Sequence, residues 1–429
     1  MRKTTIAAGL AALLAVALTA CSSGGSPAST SGEPSGGSSN QASALGRGPI
    51  TYAQGKDVTG KLQAIIDEFN AAHPDEKVTF VELPEKADDQ RSALVQDFQA
   101  GAGTYDVAGL DVTWTAEFAA RDWLLPLDDV DTTGLFASTV ASGTYNDTLY
   151  AAPYKTNIAF LFYRSDLVEK APITWDELIK DCEIARTNNM GCYAGQYAQY
   201  EGLTVNFSEA VNSAGGALLD AQGNASVNTS EAQAGLAFLI NGFKDGYIPE
   251  EAITYQEEES RRAFQAGELL FLRNWPYVYN LAEAEGEDSV IQGKFSIATI
   301  PGGSGLGAST LGGYNLAISK ATKNPATAQD FINYMLTESV QKRVITEMGE
   351  PPVRESLYDD AELRGQIPYF AAMKEALANA VSRPLAVSYT EFSEVISTSI
   401  YKALQDKADP KTVLDDLQTK LQKVIDASK

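Results

Sequence analysis

The chain has 429 residues, 44% of them hydrophobic, and a formal net charge of −23. That length suits roughly two or three domains with substantial cores. The acidity excludes the clustered Lys and Arg on which nucleic-acid binding or a polybasic membrane patch depends.

His73 is the single histidine, which sets aside Ser-His-Asp and Cys-His catalysis and weakens any histidine metal site. It follows Asn70-Ala71-Ala72 and precedes Pro74, a helix end with a stop behind it. No metal and no cofactor are expected.

Arg2 and Lys3 form a basic start, and Ile6 to Ala20 is an apolar run too short to span a bilayer comfortably. It ends Leu18-Thr19-Ala20-Cys21, which resembles a bacterial lipobox with Cys21 as the lipid-bearing first residue after residues 1–20 are removed. Residues 21–47 are rich in Ser, Gly and Pro. Such a stretch buries too little to fold and reads as a flexible tether. A protein anchored to a membrane's outer face without spanning it is the expectation.

The body opens on the strand Ile50-Thr51-Tyr52-Ala53, followed by a helix with Leu62, Ile65, Ile66 and Phe69 on one face. Val78 to Leu83 is a second strand, Arg91 to Phe98 a helix, and Tyr105 to Asp111 a third strand. This alternation implies parallel pairing with helices on the sheet faces. Asp111 falls at a strand's carboxyl end, where open α/β sheets bind ligands. It also precedes a helical stretch, so it reads equally as a helix cap. Asn157 opens the apolar run Ile158 to Tyr163 and suits either a cleft or an ordinary turn.

Thr174-Trp175-Asp176-Glu177 has the pattern of a capping box, which makes Trp175 a packing residue. Cys182 and Cys192 stand ten apart around a turn in an exported chain, and a disulfide between them is expected. Arg273-Asn274-Trp275-Pro276-Tyr277-Val278-Tyr279-Asn280 sets three rings among three hydrogen-bonding side chains just after the apolar strand Leu269 to Leu272. A ring face beside fixed polar groups suits a sugar, with interior packing as the other reading. Ile300 to Gly307 lacks the Gly-Lys-Ser/Thr ending of a phosphate loop and reads as a flexible crossover. Leu311-Gly312-Gly313-Tyr314 then returns to strand, its glycines allowing close backbone approach.

Taken in order, several stretches resemble the extracellular solute-binding proteins of ABC sugar importers, in the trehalose/maltose-binding branch. They run from Gly55-Lys56-Asp57 through Gln90-Arg91, Leu110 to Trp114, Phe162 to Leu167, Thr174 to Leu178 and Gln199 to Thr204. Arg273 to Tyr277, Leu311 to Tyr314 and Ser382-Arg383-Pro384 complete them, over most of residues 48–429.

The resemblance implies an α/β fold of two lobes with a ligand cleft between them. One lobe would combine residues 48–153 and 308–370, the other 158–302 and 371–429, with hinge crossovers near Tyr154–Asn157, Gly302–Gly307 and Ala371. It implies sugar binding by Asp57, Arg91, Asp111, Asn157, Trp275, Tyr279, Gly313, Tyr314 and Arg383. Trp275 would be the stacking platform and Gly313 a backbone donor. The family pattern has aspartate where Asn157 stands and tryptophan where Tyr314 stands. The implied protein is a non-enzymatic, monomeric receptor for an α-glucoside disaccharide, serving an ABC permease. A glycoside hydrolase with paired carboxylates and a receptor for a different solute are the alternatives.

Overall fold

A computed structural model describes residues 46–284, 286 and 288–427. The expected leader, the Cys21 anchor and the tether as far as residue 45 lie outside the described residues. In the first lobe β1 (Ile50–Gly55) pairs in parallel with β2 (Val78–Leu83) on one side and β3 (Val107–Asp111) on the other. Between them the helix Leu62–Ala72 buries Leu62, Ile65, Ile66 and Phe69, the residues of its apolar stripe. His73 caps that helix, with its ring stacked 4.3 Å from Phe69. The helix Ala87–Ala100 turns Leu94 and Phe98 inward and stops at Gly101, whose φ of +59° suits a glycine cap.

A small hairpin of β4 (Thr144–Tyr145) and β5 (Thr148–Leu149) turns through Asn146 and Asp147, both at positive φ, as a two-residue hairpin requires. The next strand, β6 (Ala151–Asn157), is buried at all seven residues. Two residues later β7 (Phe160–Tyr163) already belongs to the second lobe's sheet, with β8 (Gly191–Ala194), β9 (Leu269–Asn274) and β10 (Ser296–Ala298) in the order β10-β7-β9-β8. The chain then returns through β11 (Thr310–Ile318), antiparallel to both β3 and β6, and β12 (Val381–Ser382) joins the head of β11 in parallel.

Separate apolar cores form around the two sheets. The first sheet has two, one with Tyr52, Ile65, Phe331 and Val344 and one with Leu94, Leu110 and Phe118, and the second sheet's holds Phe162, Phe207, Phe264 and Phe271. This is the two-lobed α/β architecture expected above.

One boundary and one loop differ from expectation. Leu357, Tyr358, Leu363, Ile367 and Phe370 pack into the second lobe's core, while Val344 and Met348 stay in the first. The third crossover therefore lies between Met348 and Leu357 rather than near Ala371, and β12 brings the chain back to the first sheet. Residues 300–307, expected to be flexible, are instead pinned. Gly302 N–H donates to Ile173 O (3.2 Å) and Gly305 O (2.8 Å), and Gly303 N–H donates to Ser213 O (2.9 Å). Glycine and serine supply backbone groups there with little steric hindrance, so the loop closes on its neighbours.

Thr174 and Glu177 form both arms of the capping box, and Trp175 stacks 4.5 Å from Phe238. Cys182 and Cys192 are bonded, with Cα atoms 5.1 Å apart, tying the helix Trp175–Thr187 to β8. Replacing both cysteines by serine should lower unfolding free energy by about 2–3 kcal/mol for a loop this short. A urea midpoint unmoved by the change would show that the turn holds without the bridge.

Candidate functional site

A cleft opens at the inner ends of the strands, lined by Gly55, Asp111 and Asn157 at the ends of β1, β3 and β6, Trp275 just after β9 and Gly312 to Tyr314 of β11. Strand ends meet there because both sheets direct their crossover connections to that side, leaving backbone and side chains unpaired by neighbours.

Trp275 is held on several sides. Beneath it, Arg273 is 1% exposed, with its guanidinium carbon 4.3 Å from the indole centre. Arg273 Nε and Nη2 donate to Glu209 at 2.8 and 2.9 Å, and Nη1 donates to Gln196 at 2.8 Å. Asn274 accepts the Trp275 N–H (2.7 Å) and donates to Glu257 O and Ser260 Oγ, both at 3.1 Å. At the ring's edge a Cβ on Gly312 would stand 3.3 Å from Trp275 Cη2, so glycine there admits the indole. The sequence suggested Arg273 and Asn274 as polar groups beside a ligand. Both turn away from the cleft and fix the ring instead.

Opposite lies Arg383, 5% exposed. Its Nη2 donates to both oxygens of Asp111 (3.1 and 3.2 Å) and its Nη1 to Glu201 (2.5 Å). Asp111 belongs to the first lobe and Glu201 to the second, so one guanidinium bridges the cleft. Asp111 also accepts the Thr113 N–H (3.0 Å) and hydroxyl (2.7 Å), closing a local turn. The helix Thr115–Ala120 has Trp114 at its N-cap and no side-chain cap, so Asp111 lines the cleft and does not cap that helix. The Tyr389 and Ser393 hydroxyls donate to Glu201. Burial pushes the Glu201 carboxyl above its usual range, against the opposing pull of Arg383. Burial also opposes the Arg383 charge, but Asp111 and Glu201 outweigh it and hold the guanidinium protonated.

The floor is made by Lys155, Asn157 and Glu350. Lys155 Nζ lies 2.8 Å from Glu350 Oε1 and 5.2 Å from the Tyr314 ring centre, and Asn157 Nδ2 donates to Glu350 Oε2 at 2.9 Å. Gly313 has φ +130°, and a Cβ there would come 2.3 Å from Lys155 O, so no other residue fits. The Tyr314 hydroxyl donates to Gln90 (3.1 Å). Among the described residues, Asn157 Oδ1 and Arg383 Nε are buried without a hydrogen-bond partner.

Three expected residues stand elsewhere. The Asp57 carboxylate accepts from Thr59 N–H (3.0 Å) and Leu62 N–H (2.7 Å), starting a helix, while Lys56 and Val58 line the cleft. Arg91 pairs with Glu117 (2.6 Å) and lines a separate cavity with Trp114 and Tyr389. Tyr279 packs on Tyr369 and Phe295, with ring centres 4.7 and 5.4 Å away. Conversely, Lys155, Glu350, Glu201 and Glu257 line the cleft without having been singled out. Only Glu201 carried a signal, as part of the stretch Gln199 to Thr204 on which the resemblance rests.

Residues 52–342 match the family model described as bacterial extracellular solute-binding protein. The chain belongs to that family. A probable ABC transporter-binding protein of Deinococcus radiodurans is 32% identical over 365 residues, covering 81% of this chain and 86% of the relative. The maltose-bound MalE3 of T. maritima aligns at TM-score 0.83 and 32% identity, covering 88% of this chain and 99% of its own. A Thermotoga lettingae solute-binding protein bound with α-D-tagatose shares the fold at TM-score 0.80 and 24% identity, covering 88% of this chain and 100% of its own.

For this solute-binding protein the bridge across the cleft carries a pH signature. A carboxyl whose folded pKa is raised binds its proton more tightly in the native state than in the unfolded chain. Its stabilising contribution is then full below the unfolded pKa of about 4.3 and is lost as pH climbs through the folded value. Burial raises Glu201, Glu257 and Asp88 alike. Melting temperature should therefore lose stability over that window, and Glu201→Gln should flatten the decline. A slope unaltered by Glu201→Gln would assign it to Glu257 or Asp88.

Proposed function

We propose that the cleft captures an α-linked glucose disaccharide of the trehalose or maltose type and delivers it, on lobe closure, to an ABC permease. The observation that carries this reading is the fixed Trp275 ring facing the same cleft as Asp111, Asn157, Gly313 and Arg383. A pyranose has an apolar C–H face for the ring and hydroxyls that donate and accept at once. Asn157 and Arg383 line that cleft, and each keeps one buried hydrogen-bonding atom, the acceptor Oδ1 and the donor Nε, without a partner. The maltose in MalE3, a structural relative at 32% identity, supports the same ligand class.

In this reading the protein is a monomer tethered through a lipid on Cys21 to the outer face of the cytoplasmic membrane, and it carries no catalytic residue. A hydrolase is disfavoured because the cleft carboxyls have fixed partners. Asp111 and Glu201 share Arg383, Glu350 is held by Lys155 and Asn157, Glu257 by Tyr200, and Glu258 by Arg261 and Tyr277. A polyamine is the competing reading, because the lining sets Glu85, Asp111, Glu201, Glu257, Glu258, Glu259 and Glu350 against Lys56, Lys155 and Arg383.

The test is a thermal-shift screen of the soluble body against maltose, trehalose, sucrose, longer maltodextrins and spermidine. A solute at ~100 times its dissociation constant adds ~2.7 kcal/mol of stability. One disaccharide is expected to respond, and a response to spermidine alone would sink the sugar reading. Trp275→Ala should weaken the responding sugar about tenfold or more while moving ligand-free melting little. A large ligand-free loss would instead make Trp275 a core residue.

A further inference from the structure

Asn157 ends β6, is 8% exposed and lines the cleft. Its amide has two unlike ends, an NH2 that only donates and a carbonyl oxygen that only accepts. The NH2 lies 2.9 Å from Glu350 Oε2, and the other Glu350 oxygen lies 2.8 Å from Lys155 Nζ. A carboxylate paired with an ammonium has no proton to give. Turning the amide over would set two oxygens against each other in a buried place, so the chemistry dictates which end meets Glu350. The remaining end, Oδ1, finds no partner among the described residues.

We propose that Glu350 is a specificity-setting positioning residue. By holding the Asn157 amide nitrogen it aims the Asn157 carbonyl oxygen at the solute, and so selects a ligand that presents an O–H donor at that point. The inference rests on the sugar reading above for its ligand, but not for its geometry.

An asparagine free to turn would serve a donor or an acceptor equally. With Glu350 in place the end of Asn157 left without a partner is an acceptor, buried beside the cleft floor, whereas the unpartnered Arg383 Nε is a donor. A ligand group lacking the hydroxyl proton leaves the Asn157 oxygen buried and unpaired, which is the arrangement that rejects analogues most strongly. Lys155 acts one step further back. It occupies one Glu350 oxygen and leaves the other for the amide.

Two measurements test this. The first is a melting cycle without ligand. Asn157→Asp puts a carboxylate against Glu350 and should lower the melting temperature at neutral pH. Glu350→Gln in that background should restore most of it, because an amide can donate to the new carboxylate. Additive single effects would overturn the contact. Should Glu350→Gln alone unfold by orphaning Lys155, the Asn157→Asp effect is measured in Lys155→Met/Glu350→Gln, where the penalty should vanish.

The second is calorimetry with maltose, trehalose and their monodeoxy-monofluoro analogues, in which fluorine replaces a hydroxyl that can donate. Wild type should reject one analogue by about tenfold or more, and Glu350→Gln should bring that ratio toward one. An unaltered rejection profile would overturn the positioning role. If no sugar binds wild type, the sugar reading falls, while the melting cycle still decides whether Glu350 orients Asn157.

Discussion

A guanidinium that is 1% exposed stays charged only if its hydrogen-bonding edge is answered, and Glu209 answers it for Arg273. Such a pair adds little net stability against an apolar substitute, since desolvation takes back most of the attraction. Losing one member would leave the other charge buried alone, at about 3–5 kcal/mol. What the pair supplies here is position. Glu209 sits on the helix Glu201–Ser213, Arg273 on β9, and Glu209 Oε2 also accepts the Thr310 N–H (3.2 Å) at the head of β11. One carboxylate thus joins the helix, the strand beneath the indole and the strand that returns to the first lobe. Trp275 has a defined height above the cleft because Arg273 has no other place to go.

The opposite wall is held by charge of the other arrangement. Arg383 stands between Asp111 and Glu201, so its two carboxylates come from different lobes and would repel without it. Closing the lobes therefore costs less with the arginine between them, and opening them separates it from at least one partner. The bridge is a natural point at which solute binding and lobe motion meet, because Asp111, Glu201 and Arg383 all line the cleft.

The fold was legible because its signals are local. Helical spacing in residues 62–69, each separate strand and helix through Asp111, and the Thr174–Glu177 box lie in short stretches of chain, and each forms as read. The third crossover was not legible. Leu357 to Phe370 look alike whether they cover one sheet or the other, and only tertiary packing assigns them to the second core. In the cleft, Asp111 and Trp275 could be found because the ends of their strands can be read from sequence, whereas Asn157, expected to open the run Ile158 to Tyr163, in fact ends β6. Lys155 and Glu350 are 195 residues apart, and Arg383 and Glu201 are 182 apart. Nothing in either neighbourhood announces the partner. Asp57 misled for the converse reason. An acidic residue at the start of a helix satisfies backbone N–H groups first, and this one does so with Thr59 and Leu62.

Lys155, Asn157 and Glu350 also sit where the chain changes lobes. Lys155 and Asn157 are on the strand of the first crossover, and Glu350 follows the glycine that ends the helix Glu338–Met348, at the start of the third. Thr156 N–H donates to Pro351 O (3.0 Å), so backbone as well as side chains ties the two crossovers together. Residues at a hinge must absorb backbone rotation when lobes move, whereas an ion pair and an amide at that spot resist it. If the lobes turn about these crossovers, the hydrogen bonds of the cleft floor lie at the pivot. A solute group bonded to Asn157 would meet nearly the same geometry whether the lobes were open or closed, while contacts at Trp275 and Arg383 would be made only as they approach.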